Sequence, residues 1–152
     1  MQRCDTRILR KNFFVDSSYN SSSPSQFMRF QGNVQHGLHK GKQFGFPTVN
    51  FDINCAPEGL EHGIYAVRAR ILASEFEGQE FGGMMHYGPR PAVHAEASLE
   101  VHLFDFDRDI YGKEVEVEIV GERIREVMDF DTLEGLVEQL ADDERKARKI
   151  LG

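Results

Sequence analysis

The sequence is short of cysteine, basic residues and long apolar runs, and each shortage excludes a class of protein. The two cysteines, Cys4 and Cys55, match no zinc or redox spacing, so we expect free thiols in a reducing compartment. No apolar run approaches the roughly 20 residues of a membrane-spanning helix, and the N-terminus lacks the apolar core of a signal peptide. These observations predict a cytoplasmic protein without a membrane partner.

Basic residues are outnumbered by acidic ones. The chain has 18 Lys and Arg against 25 Asp and Glu, a formal net charge of −7 at pH 7. Because a nucleic-acid-binding surface normally needs a basic stripe, we expect no nucleic-acid partner. The acidic balance still permits an anionic nucleotide, since one local loop and a metal ion can hold its phosphates.

Length and composition predict one folded domain behind a polar tail. The chain has 152 residues, of which 40% are hydrophobic, enough for one buried core. Residues 17–25 contain six serines, a composition that cannot build a core. We therefore predict a tail or linker over residues 1–28 and a domain over residues 29–152.

A glycine-rich segment over residues 32–50 is the strongest local signal. Glycine adopts positive φ without steric cost, so such a loop can turn several backbone N–H groups toward one anion. It is not a P-loop, because three residues separate Gly37 from Gly41 where four are needed, and Gln43 replaces Ser or Thr. The segment indicates a phosphate site of another kind, with an ordinary surface loop as the alternative.

The residues that close this segment favour a metal ion. Thr48 and Asn50 lie two apart, so in an extended chain both side chains leave the same face. A hydroxyl and an amide oxygen are hard donors of the kind that Mg²⁺ prefers.

The remaining chain reads as strands followed by one helix. Alternation is clearest where Tyr65, Val67, Ala69 and Ile71 share one face, and again where Leu99 and Val101 oppose Glu100 and His102. Asp131 with Glu134 resembles a capping box before a helix whose apolar stripe continues to Leu151. Without βαβ alternation, this order predicts a mainly β protein whose antiparallel sheet closes into a barrel. The predicted strands cover residues 29–35, 49–53, 63–72, 76–86, 96–106 and 113–120, with a loop at 87–91.

Three segments, in the same order, resemble the riboflavin kinase (flavokinase) family. They are residues 32–50, residues 98–112 with the sequence Ser-Leu-Glu-Val-His-Leu-Phe-Asp-Phe-Asp-Arg-Asp-Ile-Tyr-Gly, and residues 123–136. The resemblance covers the chain from about Arg29 to its end. It implies a six-stranded Greek-key barrel with a C-terminal helix. It also implies ATP-dependent phosphorylation of riboflavin to FMN with Mg²⁺ as the metal.

The resemblance also assigns roles to individual residues. Glu100 matches the general base, although on the residues alone it reads as an ordinary surface glutamate. Thr48 and Asn50 match the Mg²⁺ ligands. Arg125 and Phe130 match flavin-site residues, with a helix ion pair and a hydrophobic staple as their respective alternatives. The positions that match the ATP site are Gly37, Gly41, Lys42, Gly45, Thr48, Leu103, Asp105 and Tyr111.

Some features depart from the usual family pattern. His86, Ala92, Val127 and Met128 differ from the usual residues, and we expect them to affect flavin binding more than ATP binding. About 28 residues precede the predicted barrel, too few for the adenylyltransferase domain to which many bacterial members are fused. The chain alone should therefore stop at FMN, with a separate FAD-synthesising adenylyltransferase as a candidate partner.

Two other functions stay open at this point. One is a non-catalytic flavin- or nucleotide-binding regulatory module of the same fold, against which Thr48, Asn50 and Glu100 count. The other is a small barrel that binds single-stranded nucleic acid, which would need interleaved basic and aromatic residues.

Overall fold

The computed structural model describes residues 28–36, 45–90 and 95–152, so the predicted tail lies almost wholly outside it. Within these residues, two short 3₁₀ turns (Ile53–Cys55 and Ser74–Phe76) accompany six strands and one helix. The strands are β1 Arg29–Asn33, β2 Val49–Phe51, β3 Gly63–Ile71, β4 Phe81–Arg90, β5 Ala95–Leu103 and β6 Glu114–Arg125, and the helix is α1 Leu133–Leu151.

The strands form one antiparallel sheet that nearly closes on itself. Their order is β1-β6-β3-β4-β5-β2, in which β3, β4 and β5 are consecutive and β6 returns beside β3. That order is a Greek key. The two edges meet where the Gln35 N–H donates to the Asn50 carbonyl at 2.7 Å. The predicted Greek-key barrel with a C-terminal helix is therefore confirmed.

Period-two alternation separates the barrel interior from its outer face. Tyr65 and Val67 of β3 pack inside with Leu99 and Val101 of β5, as predicted. On the outer face, Ala147 of α1 packs over a second apolar cluster of Ala66, Met84 and Phe104. The helix therefore covers one part of the outer face of the barrel. The adjoining outer face of β5 is contacted by other parts of the chain.

Several predicted strand boundaries were wrong, most clearly those of β4 and β6. Phe76 belongs to a 3₁₀ turn, and β4 runs from Phe81 through the predicted loop to Arg90. The pairing of β4 with β5 shifts between Gly88 and Arg90, and such a bulge accommodates Pro89 inside a strand. Strand β6 continues beyond residue 120 to Arg125, although the exposed Gly121 and Glu122 break the alternation there.

The expectation of a free thiol was also wrong for Cys55. This residue is buried and disulfide-bonded. Sequence spacing identifies compact metal and redox motifs but cannot show a pairing formed by the fold.

Among the described residues, no helix combines the length and the apolar character that crossing a membrane requires.

The helix begins one residue later than the capping-box pattern predicted. Thr132 is the N-cap, and its hydroxyl accepts a hydrogen bond from the Gly135 N–H at 3.0 Å. We expect Thr132→Ala to lower the free energy of unfolding by about 1 kcal/mol, because that N–H loses its partner. Urea denaturation measures the change, with Thr132→Ser as a control that keeps the hydroxyl. A larger loss from Asp131→Ala would show that Asp131 is the cap after all.

Strand β4 requires glycine at one position near its start because the neighbouring backbone is close. A Cβ added to Gly83 would lie 2.6 Å from the His102 carbonyl oxygen of β5. We expect Gly83→Ala to cost about 1–3 kcal/mol of stability, because a paired strand would have to move. Gly82→Ala is the matched control, since its Cβ would meet side chains and no backbone: the flexible Leu151 side chain at 3.0 Å and the Phe104 ring at 3.5 Å. An equal loss from both variants in urea denaturation would contradict this interpretation.

Candidate active site

Glu100 lies at the centre of a polar site on the outer face of β5. Its neighbours Leu99 and Val101 point into the barrel interior, so its own side chain points outward. The residue is only 6% exposed, which excludes the interpretation as an ordinary surface glutamate. Its partners across the sheet are Asn50 of β2 and His86 of β4.

Two hydroxyl groups bind the Glu100 carboxylate, one on each oxygen. Thr48 Oγ1 donates to Oε1 at 3.2 Å, and Ser98 Oγ donates to Oε2 at 3.2 Å. An ionised carboxylate only accepts hydrogen bonds, so this arrangement suits the form that can take up a proton. The clamp also fixes the orientation of the carboxylate.

A third side chain extends the hydrogen-bonded chain. Ser98 Oγ lies 3.3 Å from His86 Nδ1. Because a hydroxyl has one hydrogen and Ser98 gives it to Glu100, the His86 Nδ1–H must donate to Ser98. His86, Ser98 and Glu100 therefore form one directed chain across β4 and β5.

The donor set around Glu100 suits Mg²⁺. The Thr48 hydroxyl keeps lone pairs after donating its hydrogen, and Asn50 lies opposite Glu100 with its side chain on the same face. All of these are hard oxygen donors. In the described part of the chain, no group of three or more His, Cys, Asp or Glu could hold a metal instead. The structure brings Thr48, Asn50 and Glu100 together, while their roles stay predictions.

Arg125 lies on the same cross-sheet row as Glu100. It pairs with Ile64 of β3, Ile64 pairs with His86, and His86 pairs with Glu100. Residues that pair across neighbouring strands point to the same face of the sheet. Three strand spacings separate Arg125 from Glu100, which amounts to about 14 Å along the row. The outer face therefore carries Glu100 and Arg125 on one row.

The Arg125 guanidinium is held by α1. Its Nε and Nη2 donate to the Asp143 carboxylate at 2.7–3.0 Å, and Asp143 is fully buried. The guanidinium carbon also lies 5.8 Å from the centre of the Phe130 ring. The ion pair foreseen as an alternative is present, and contacts of Arg125 and Phe130 with a flavin stay predictions.

The structure describes only some of the predicted nucleotide residues. Gly37, Gly41 and Lys42 lie outside the described residues, and Gly45 is exposed with φ of 82°. Tyr111 stacks on His36 with ring centres 4.0 Å apart. His36 follows Gln35, whose N–H bonds to Asn50, so this stack lies near the closure of the barrel.

Leu103 and Asp105 lie in different surroundings from the glutamate. The Leu103 side chain packs in the barrel interior. Asp105 is exposed, has φ of 54°, and pairs with Arg148 near the end of α1 at 3.2 Å. A role for either residue in nucleotide binding stays a prediction.

Sequence reasoning missed several residues of the site. Ser98 carried a signal, since it lies two residues before Glu100 on the same face. Asp143 also carried one, because it falls on the helical stripe between Leu140 and Ala147, where a buried side chain is expected. No local signal could have paired His86 with Ser98, because their contact depends on strand register.

A solved structure shares this fold. The riboflavin kinase from Trypanosoma brucei superposes with a TM-score of 0.58 at 21% identity, over 81% of this chain and 78% of that one. At this identity, the likeness concerns the fold alone.

Sequence comparisons extend the likeness beyond the fold. The riboflavin kinase family model matches residues 25–151. The RNA-binding riboflavin kinase RibR of Bacillus subtilis is 40% identical over 114 residues, which are 74% of this chain and 46% of that protein. The bifunctional riboflavin kinase/FMN adenylyltransferase of Haemophilus influenzae is 36% identical over 121 residues, or 79% of this chain and 37% of that protein. This chain thus spans less than half the length of these relatives. It belongs to the riboflavin kinase family.

Proposed function

We propose that the chain transfers the γ-phosphoryl group of ATP to the ribityl 5′-hydroxyl of riboflavin, giving FMN and ADP. The observation that carries the proposal is the buried Glu100 carboxylate, bonded at 3.2 Å to Thr48 in a chain of this family. Phosphoryl transfer needs positioning and charge neutralisation more than covalent chemistry from the protein. A clamped base beside hard oxygen donors meets that need.

In the proposed reaction, Glu100 accepts the proton of the 5′-hydroxyl. The hydroxyl oxygen forms its bond to the γ-phosphorus as the bond from that phosphorus to the bridging oxygen of ADP breaks. Ser98 keeps the carboxylate oriented through its bond to Oε2. His86 in turn orients Ser98.

Other residues would hold the two substrates. Thr48 and Asn50 would hold Mg²⁺, which when bound neutralises charge on the phosphates. The loop from Gly37 to Gly45, with Gly41 and Lys42, would hold those phosphates through backbone N–H groups and one ammonium. Tyr111, Asp105 and Leu103 would contribute to the nucleotide site. The flavin would lie toward Arg125, which shares a row with Glu100, and toward the Phe130 ring near its guanidinium.

The experiment mixes the purified chain with riboflavin, ATP and Mg²⁺ and measures FMN and ADP by chromatography. We expect the two products in equal amounts, and we expect EDTA to stop their formation. ATP hydrolysis without FMN would contradict the proposal.

RNA binding is the second candidate, because one relative is named for it. The net charge of −7 disfavours the extended basic surface that RNA binding needs. Titration with an oligonucleotide at several salt concentrations tests the point, and we expect no salt-dependent binding.

A single-turnover assay for FMN separates the kinase from a regulatory module that binds nucleotide without reacting.

A further inference from the structure

His102 lies beside the proposed centre but has no part in the mechanism above. It follows Glu100 by two residues on the same outer face of β5, and it is only 9% exposed. Its Nδ1 lies 2.7 Å from the Pro47 carbonyl oxygen. Because a carbonyl only accepts hydrogen bonds, Nδ1 must carry the hydrogen.

This bond acts on the residue directly before Thr48. Strand β2 begins at Val49, so the Pro47 carbonyl precedes the paired part of the strand. Strand β5 thereby holds the incoming chain at two successive residues. His102 binds the backbone of Pro47, and Glu100 binds the hydroxyl of Thr48.

Two aromatic rings fix the orientation of the imidazole. Phe46 and Phe104 meet it edge-to-face, with ring centres 5.4 Å and 5.7 Å away. Phe46 belongs to the segment that leads into Thr48, while Phe104 lies just after β5. The ring is thus packed between the anchored segment and its own strand, with its donor directed at one carbonyl.

We propose that His102 is a positioning residue, which places the Thr48 oxygen for metal-dependent nucleotide binding. The proposal rests on the proposed function, in which Thr48 is a ligand of Mg²⁺. Without the bond from His102, the Pro47 carbonyl loses its partner and Thr48 is no longer held in line with Glu100. Binding of ADP should then lose the part of its affinity that depends on Mg²⁺.

Two substitutions separate the hydrogen bond from the bulk of the ring. His102→Leu removes the donor and keeps an apolar side chain, whereas His102→Asn keeps an N–H donor near the position of Nδ1. Calorimetry gives the Kd of ADP for each variant with Mg²⁺ and with EDTA. For His102→Leu we expect about a tenfold higher Kd with Mg²⁺, the factor set by one ordinary hydrogen bond, and an unchanged Kd in EDTA. His102→Asn should recover most of the wild-type affinity.

Thr132→Ala is the control, because it weakens the fold at the N-terminus of α1 away from β5. An unchanged Mg·ADP affinity in that variant shows that lost stability alone does not produce the effect. The wild-type chain offers a test that needs no substitution. Nitrogen-15 NMR of the imidazole should show a protonated Nδ1.

The proposal is overturned by an unprotonated Nδ1, by a folded His102→Leu variant that binds Mg·ADP like wild type, or by a His102→Asn variant as weak as His102→Leu. A wild-type chain that binds Mg·ADP but forms no FMN would reject the proposed function. The comparison of Mg·ADP affinities would still decide the role of His102.

Discussion

Glu100→Gln is expected to lower the rate of FMN formation by about 10²–10⁴-fold, the usual contribution of a general base. Glutamine has nearly the same shape, and its amide oxygen can still accept the hydrogen of Thr48 or Ser98. It cannot take a proton from the riboflavin hydroxyl. Single-turnover measurement of FMN formation reports the rate of the chemical step. The Kd of Mg·ADP should change by no more than about threefold, a smaller factor than the loss of one ordinary hydrogen bond would give.

Glu96→Gln is the matched control for this substitution. Glu96 lies on the same strand but is exposed, and the irregular pairing between Ala95 and Ser98 separates it from Glu100. We expect it to leave the rate unchanged, since an exposed carboxylate four residues away makes none of the contacts described for Glu100. A wild-type rate in Glu100→Gln would show that Glu100 is not the base.

Asp143→Ala is expected to lower the free energy of unfolding by about 3–5 kcal/mol, the usual cost of breaking a buried ion pair. Asp143 is fully buried, and the Arg125 side chain is only 13% exposed. Removing the carboxylate leaves the guanidinium poorly solvated without its counter-charge, and it also removes the acceptor for Gln139. Urea denaturation followed by circular dichroism measures the loss.

A surface pair on the same helix provides the control for Asp143. Asp142 pairs with Lys146 at 2.7 Å, and both side chains are partly exposed. We expect Asp142→Ala to lower the free energy of unfolding far less than Asp143→Ala does, because solvent screens such pairs. The double variant Asp143→Leu with Arg125→Met should be more stable than Asp143→Ala alone, since no unpaired charge remains. Equal losses from Asp142→Ala and Asp143→Ala would contradict this interpretation.

Much of the fold followed from short-range patterns. The alternation around Tyr65 and Val67 identified the inner face of β3, and Leu99 with Val101 did the same for β5. Once those faces were fixed, the outward direction of Glu100 followed from the period of two. The barrel itself followed from many strands before one helix, without βαβ alternation.

The details of the site depended on long-range pairing and could not be predicted locally. Nothing near Glu100 in the sequence shows that β2 and β4 bury it, or that Ser98 links it to His86. The strand through Pro89 was missed because a bulge, visible only in the pairing, accommodates that proline. The helix cap was assigned to Asp131 because Glu134 follows three residues later, as in a capping box, whereas the folded chain uses the adjacent Thr132.

The most direct measurement is a crystal structure of the chain with Mg·ADP and riboflavin. The proposed function predicts Mg²⁺ about 2.0–2.1 Å from the Thr48 and Asn50 side-chain oxygens. It also predicts the ribityl 5′-hydroxyl about 2.6–3.2 Å from the Glu100 carboxylate. A metal bound elsewhere, or a riboflavin hydroxyl pointing away from Glu100, would contradict it.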